Sequence, residues 1–365
     1  MKNHLKFIPF LSLVAILCSC NTQVSFSNLS SSGFEQRHTD AQLAYLNSTD
    51  YLDTSPYTGN MSVSAPNPVV LSWEGTSKNV TVGIYKDEAL TKLVANYQIN
   101  NGNSLEFCNG ELGTTYYWNV SRQGTISETA SFTTDAKGPR NLFVDGVENF
   151  RDLGGYGHIK QGLIYRSGRF NESKEAEITP LITEQGLFEV KSFLKIKTEI
   201  DLRRVADNEV GGLTNESVLG KDVKYVSLPM QYGGNNILTY KGTVSETEYD
   251  NPAKIKAFFE LLADQNNYPV NFHCSIGKDR TGCLAFLVEG LLGNSEEQLY
   301  RDYMFTNFAN AGYCKGTDVS TRYGKTLSEY SDGSNLQEKI YNYLNNEIGV
   351  SKENLDSVIS ILKAE

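Results

Sequence analysis

The sequence predicts two folded units in series: a small all-β sandwich, then a larger α/β domain with a central, mostly parallel sheet flanked by helices. Three observations predict this. Short alternating apolar runs separated by turn residues fill residues 65–135, which is the pattern of half-buried strands. From residue 141 onward, strand-like runs interleave with apolar residues at helical spacing, the pattern of a sheet covered by crossover helices. Between them, Ala136-Lys137-Gly138-Pro139-Arg140 interrupts both patterns and marks a boundary.

The 365 residues suffice for two such units, and 39% hydrophobic content supplies a packed core. Lys and Arg number 33 against 43 Asp and Glu, a formal charge of −10. That balance excludes a protein that coats nucleic acid, which needs a basic face to neutralise phosphates. No internal apolar run is long enough for a transmembrane bundle.

Residues 1–19 read as an export signal. Lys2, His4 and Lys6 give a basic start, and Phe7 to Leu17 is an apolar stretch of signal-peptide length. The following Leu17-Cys18-Ser19-Cys20 looks like a bacterial lipoprotein signal, with small Ser19 before the cleavage point and Cys20 as the lipid acceptor. The expectation is a chain at the cell envelope, anchored to the membrane by acyl chains on Cys20 rather than by a helix. Cys108, Cys274, Cys283 and Cys314 then remain. Their wide, irregular spacing reads as mostly free thiols, one of them reactive.

Residues 20–64 are rich in Ser, Thr, Asn and Asp and read as a flexible tether, with one helical turn at Ala41 to Tyr45. In the β-rich unit, Val69 to Trp73, Val80 to Tyr85 and Tyr116 to Val120 read as strands. The early Trp73 and the phrase Leu112-Gly113-Thr114-Thr115-Tyr116-Tyr117-Trp118 resemble a fibronectin type III domain. Trp73 and Trp118 read as core aromatics rather than sugar platforms.

In the unit 141–365, Thr198 to Leu202, Val223 to Leu228 and Pro269 to His273 read as strands. Asn251-Pro252 reads as a helix start with Asn251 as the cap. Ile255, Phe258, Phe259 and Leu262 continue it at helical spacing, and Thr281 to Leu292 is an apolar helix. Helical patterns follow at Glu296 to Phe308, Asn335 to Ile348 and Lys352 to Lys363.

The chemistry concentrates where the strand ending at His273 runs into Cys274-Ser275-Ile276-Gly277-Lys278-Asp279-Arg280-Thr281-Gly282 and then a helix. A loop between a strand and a helix N-terminus can aim consecutive N–H groups at one point, and the helix dipole adds positive potential there. Ser275, Ile276, Gly277, Lys278 and Arg280 are therefore the candidate phosphate-binding residues, with Gly277 allowing the tight backbone. Cys274 at the base is the candidate nucleophile, its thiolate favoured by the dipole and Arg280. Arg280 offers a planar fork to two phosphate oxygens. Thr281 is placed to hydrogen-bond the sulfur, and His273 to orient the loop. Asp279 is either the general acid that protonates the leaving oxygen or a cap on the adjoining helix. Lys278 is either a solvated lysine or a charge for a second anionic group. The implied chemistry is attack of sulfur on phosphorus, then hydrolysis of a phosphocysteine; it needs no metal or cofactor.

The run His273-Cys274-x-x-Gly277-Lys278-Asp279-Arg280-Thr281-Gly282 resembles the phosphate-binding loop of bacterial atypical tyrosine phosphatases. Asn149-Phe150-Arg151-Asp152-Leu153-Gly154-Gly155-Tyr156 resembles the N-terminal signature of that group, with weaker support from Leu163 to Gly168 and Ile200 to Arg203. The resemblance implies a protein-tyrosine-phosphatase-like fold and a phosphoric monoester hydrolase. It implies phosphotyrosine, phosphoserine/threonine or phosphoinositide as substrate, carried by a phosphorylated protein, a lipid or an inositol phosphate. It assigns Asp279 as general acid and lets Lys278 favour doubly charged substrates. It places Asp152 close to the active site; without it, Arg151 and Asp152 read as an ion pair stabilising the turn. Two other readings compete: a non-catalytic phosphate-binding or adhesion lipoprotein, and rhodanese-like sulfur transfer on Cys274.

Overall fold

The computed structural model describes residues 23–32, 38–58, 65–174, 177–204, 216–232, 234–244, 246–309 and 311–364. The signal segment and Cys20 lie outside them. No described helix is long and apolar enough to cross a membrane.

The first unit is two antiparallel sheets sharing a core. One carries Phe26–Ser32, Val69–Gly75 and Ser104–Phe107; the other carries Leu93–Asn101, Lys78–Tyr85, Thr115–Arg122 and Thr125–Ile126, with Ala130–Thr133 also paired to Thr115–Arg122. Val69, Leu71 and Trp73 face Val80, Val82, Ile84 and Trp118 across the interior. The alternation of each strand sends every second side chain inward. Both tryptophans are buried.

The described parts of the stretch expected to be a tether, residues 23–32 and 38–58, are built into both units instead. Phe26–Ser32 is an edge strand, paired antiparallel from Phe26 opposite Gly75 to Ser32 opposite Val70. Its serines resemble linker composition because an edge strand joins through its backbone and leaves polar side chains in solvent. Residues 38–58 then cross to the α/β unit. Thr39 caps the helix Asp40–Leu46 in a reciprocal capping box with Gln42. Tyr45 is buried in the core of the α/β unit. Arg301 donates to the carbonyls of Tyr45 (2.8 Å) and Ser48 (2.7 Å), and Asn307 to the Thr54 hydroxyl (2.6 Å). Tyr51 and Tyr57 pack beside Tyr45 against the same core, and anchors at such irregular spacing carry no periodic signal.

The α/β unit is organised on a mixed six-stranded sheet in the order Lys224–Ser227, Thr198–Asp201, Val270–His273, Ile164–Ser167, Arg151–Asp152, Arg140–Asn141. The first four strands are parallel; the last two, of two residues each, are antiparallel. Every residue of the three central strands is buried, as expected where layers cover both faces. The helix Asp279–Leu291 is buried along nearly its whole length, and Asn251–Leu262 packs Ile255, Phe258, Phe259 and Leu262 into the same core. That helix is capped by Asp250, whose carboxylate accepts from the Ala253 N–H at 3.0 Å. Asn251, expected as the cap, is the first helical residue; its buried amide instead donates to Gln231 O (2.7 Å) and Ile237 O (2.6 Å).

The core of the sandwich continues into one side of the α/β unit, beside that unit's own core. Phe107 of the sandwich meets Phe193 at 5.4 Å between ring centroids, and Tyr97 meets Phe188 at 5.1 Å. Asn109 donates to Phe143 O and Glu189, each at 2.7 Å.

Candidate active site

Parallel register brings three strand ends together. Ser167 and Asp201 lie opposite His273 on its two neighbours, and Cys274 follows immediately. Cys274 is 1% exposed. Burial opposes ionisation of its thiol, but the Arg280 charge and hydrogen bonding from Thr281 outweigh burial and hold the thiol below its ordinary value. The buried Thr281 hydroxyl reaches no partner of full hydrogen-bond geometry among the described residues; its pull on the sulfur is therefore weaker than that of the guanidinium.

The loop from Ser275 to Lys278 is oriented by donors on its outer side. Ser275 O accepts from the Arg169 backbone N–H (3.1 Å) and side chain (3.2 Å). Ile276 O and Gly277 O accept from the Asn149 amide at 3.1 and 3.0 Å, and Gly277 O also accepts from Arg166 at 2.7 Å. In a trans peptide, C=O and N–H point in opposite directions. With three successive carbonyls turned outward, the N–H groups of Ile276, Gly277 and Lys278 turn inward, and they form an anion nest above the sulfur. Gly277 has φ +70°, and a Cβ there would lie 2.5 Å from Ser167 O, so no other residue fits without displacing the neighbouring strand. Lys278 Nζ donates to Tyr313 O at 3.2 Å on the rim.

Arg280, 3% exposed, is fixed by donation to Leu202 O (3.3 Å) and Met230 O (3.5 Å) and packs over the Tyr232 ring at 5.3 Å. Arg204 lies over the same ring at 4.7 Å. Asp279 begins the helix but does not cap it: the cap position is Lys278, without a side-chain cap bond. The Asp279 carboxylate forms an ion pair with Arg322.

Behind the loop, His273 Nε2 meets Glu199 at 2.9 Å and Nδ1 meets Cys274 O at 3.2 Å. Burial alone would push the His273 pKa down; Asp201 and Glu199 reverse that and raise it. Asp201 is buried, which opposes ionisation, yet His273 and Arg203 draw its pKa down to about 2. Glu199, Asp201 and His273 are the one grouping among the described residues close enough to share a metal ion. Their atoms already serve one another, Arg203 (2.6 Å) and Tyr225 (3.0 Å), so the set reads as a structural ion network.

Arg151 and Asp152 do not pair with each other, because neighbours in a strand point to opposite faces. Arg151 goes to Asp302 (2.9 Å) and Asn149. Asp152 pairs with Arg140 and accepts from the N–H groups of Gly154 and Gly162, each at 2.7 Å. Its partners place it beside Arg140, and among the described residues it makes no hydrogen bond to the loop 274–280. Asp302 pairs with both Arg151 and Arg166; burial opposes its ionisation, but the two guanidiniums hold its carboxyl below the usual range. Sequence reasoning assigned no role to Asn149, Arg166, Arg169, Asp302 or Arg322. Asn149 and Arg166 fall inside the quoted signature blocks, which was the available signal; Asp302 and Arg322 had none. The described cysteines 108, 274, 283 and 314 are all free thiols.

Residues 142–365 match the tyrosine phosphatase family. A Cupriavidus necator protein named as a tyrosine-protein phosphatase is 24% identical over 208 residues, spanning 50% of this chain and 69% of that one. A tyrosine-protein phosphatase of Nostoc commune is 32% identical over 79 residues, 22% of this chain and 27% of its own length. Among solved structures, the catalytic domain of the PP-IP phosphatase SIW14 from S. cerevisiae overlaps 52% of this chain and 87% of its own, at 18% identity and a TM-score of 0.30. TpbA of P. aeruginosa overlaps 53% of this chain and 92% of its own, at 16% identity and a TM-score of 0.30. The match over residues 142–365 takes in the whole of the loop just described, and the chain belongs to the tyrosine phosphatase family.

Proposed function

We propose that this phosphatase works through Cys274 and a phosphocysteine intermediate on phosphate monoesters, at the bacterial envelope. The observation that carries the mechanism is the buried Cys274 thiol whose pKa the Arg280 charge draws down against burial, at the start of a loop whose carbonyls are held by Asn149, Arg166 and Arg169. The Cys274 thiolate attacks phosphorus, the bond from phosphorus to the leaving oxygen breaks, and Asp279 supplies the proton that oxygen takes up. Water then attacks phosphorus, the P–S bond breaks and returns the thiolate, and Asp279 accepts the water proton. Arg280 binds two equatorial oxygens throughout. Thr281 steadies the sulfur as it leaves, and His273 holds the loop through the Cys274 carbonyl.

The substrate class is a phosphorylated protein, phosphoinositide or inositol phosphate. Lys278, whose Nζ donates to the Tyr313 carbonyl, favours a substrate with an anionic group beyond the one attacked. Residues 1–19 and Cys20 support a lipid anchor, and Trp73 with the phrase Leu112 to Trp118 supports a fibronectin type III-like reading of the sandwich.

Turnover of p-nitrophenyl phosphate, phosphotyrosine peptide and phosphoinositide by wild type and Cys274→Ser tests the mechanism. Loss of all three with retained tungstate binding supports it; unchanged turnover removes it. Incorporation of labelled palmitate, abolished by Cys20→Ala, tests the anchor.

A further inference from the structure

A second site lies at the junction of the two units, away from the catalytic loop. A cleft of 390 Å³ opens there, within the range of about 300–1,000 Å³ usual for small-ligand sites, which favour domain interfaces. Lys86, Lys92, Lys195 and Lys197 and the buried Arg140 line it, against the single carboxylate of Glu111. Lys86 neutralises Glu111 at 2.6 Å, and Arg140 is occupied by Asp152. Lys92, Lys195 and Lys197 are exposed, and no carboxylate of the described residues lies within ion-pair distance of them. Three exposed lysines line one recess in a chain whose net charge is −10; Lys92 also feels the Asp87 carboxylate from beyond ion-pair distance, so Lys195 and Lys197 carry the least compensated charge. The floor is apolar: Phe193, Leu194, Pro269 and Leu93 line it, and Leu93 is 46% exposed.

The cleft is not a subsite of the reaction. Lys197 and Pro269 immediately precede the strands Thr198–Asp201 and Val270–His273, whereas Cys274 follows the other end. Four residues of strand separate the two places by about 13 Å at ~3.3 Å per residue.

We propose that this junction cleft binds a small amphiphilic anion: an apolar or aromatic body seated on Phe193, Leu194 and Leu93, with a strongly acidic head held by Lys92, Lys195 and Lys197. The same chemistry occurs in a free metabolite and in a lipid headgroup. The recess, a concave cleft lined by residues of both units, fits the free molecule rather than a membrane plane.

The test titrates the full-length chain with anilinonaphthalene sulfonate, an aromatic anion, while tungstate saturates the catalytic loop. Wild type binds one probe per chain. The triple variant K92E/K195E/K197E, which reverses three charges facing the anion, binds about tenfold or more weakly at low salt. Its p-nitrophenyl phosphate turnover and melting temperature stay at the wild-type values, and Leu93→Asp weakens the probe in the same direction. Probe affinity in the triple variant within about twofold of wild type, where three charge contacts would cost far more, overturns the site. A second arm uses phosphatidylglycerol vesicles with the Cys20→Ala chain, which carries no acyl anchor: absence of sedimentation supports a free small molecule, and vesicle capture lost on adding K92E/K195E/K197E overturns it in favour of a membrane contact.

Discussion

Asp279 and Arg322, 43 positions apart, form an ion pair beside the catalytic loop, each side chain 21% exposed. To hand a proton to a leaving oxygen, the Asp279 carboxyl must come away from Arg322. Arg322→Gln removes that competitor. Turnover of alkyl phosphates, which need leaving-group protonation, is expected to rise about two- to fivefold relative to p-nitrophenyl phosphate, matching a partly exposed pair of roughly 0.5–1 kcal/mol. An equal change for both substrates would assign Arg322 a purely structural part.

Asp279→Asn has the opposite sign. Alkyl phosphate turnover is expected to fall by about 10²–10⁴-fold, the usual worth of a general acid, with a smaller loss for nitrophenolate. Equal losses would point away from proton transfer.

The Cys274 thiol lies below its ordinary value because the guanidinium outweighs burial. Only the thiolate alkylates, so iodoacetamide inactivation is expected to persist to lower pH than for an ordinary thiol. Arg280→Ala leaves burial unopposed by that charge and moves the inactivation profile to higher pH. A profile that does not move would separate the sulfur from Arg280.

Among the described residues, Lys278 Nζ donates only to the Tyr313 carbonyl. Lys278→Ala is expected to cost phosphoinositide hydrolysis more than phosphotyrosine hydrolysis, in kcat/KM measured side by side. The reverse ranking would remove its role toward a second anionic group.

Asp302 joins Arg151 and Arg166, and through them Asn149 and Gly277, in one buried network. Asp302→Ala strands two buried guanidiniums, a destabilisation of about 3–5 kcal/mol, read by urea unfolding. A loss under about 1 kcal/mol would mean that water or rearrangement replaces the carboxylate.

Asp201, with its folded pKa drawn down to about 2 from 3.8, contributes stability that is present above pH 3.8 and lost as pH falls through 2. The linkage is worth about 2 kcal/mol. His273 has the other sign: its raised value contributes stability fully present below its ordinary 6.5 and lost as pH rises through the folded value. In acid unfolding, Asp201→Asn is expected to flatten the slope between pH 4 and 2. An unchanged slope would refute the pairing.

The order of local elements was legible along the chain. The strand Val270–His273, the loop and the helix Asp279–Leu291 follow from apolar run, glycine and apolar periodicity, signals carried within a few residues. The spacing from Cys274 to Arg280 lies inside one such segment, which is why the candidate nucleophile and its cation were named together. The Asn251 cap failed for a local reason, since Asp250 and Asn251 are both competent caps and only the demand of Gln231 and Ile237 for an amide decides between them.

What the tertiary structure alone decided are the pairings between distant segments. Composition made residues 20–64 read as a tether, yet Phe26–Ser32 completes a sheet and Tyr45 fills the core of the other unit. Asp302 is 151 positions from Arg151, and Arg322 is 43 from Asp279. A residue's local pattern states which face it presents, but the partner it meets there is selected by how the elements pack, and packing is a property of the whole chain. For the same reason the sequence showed the bottom of the anion nest, while the donors that turn its carbonyls outward, and the lysines gathered at the unit junction, became visible only in three dimensions.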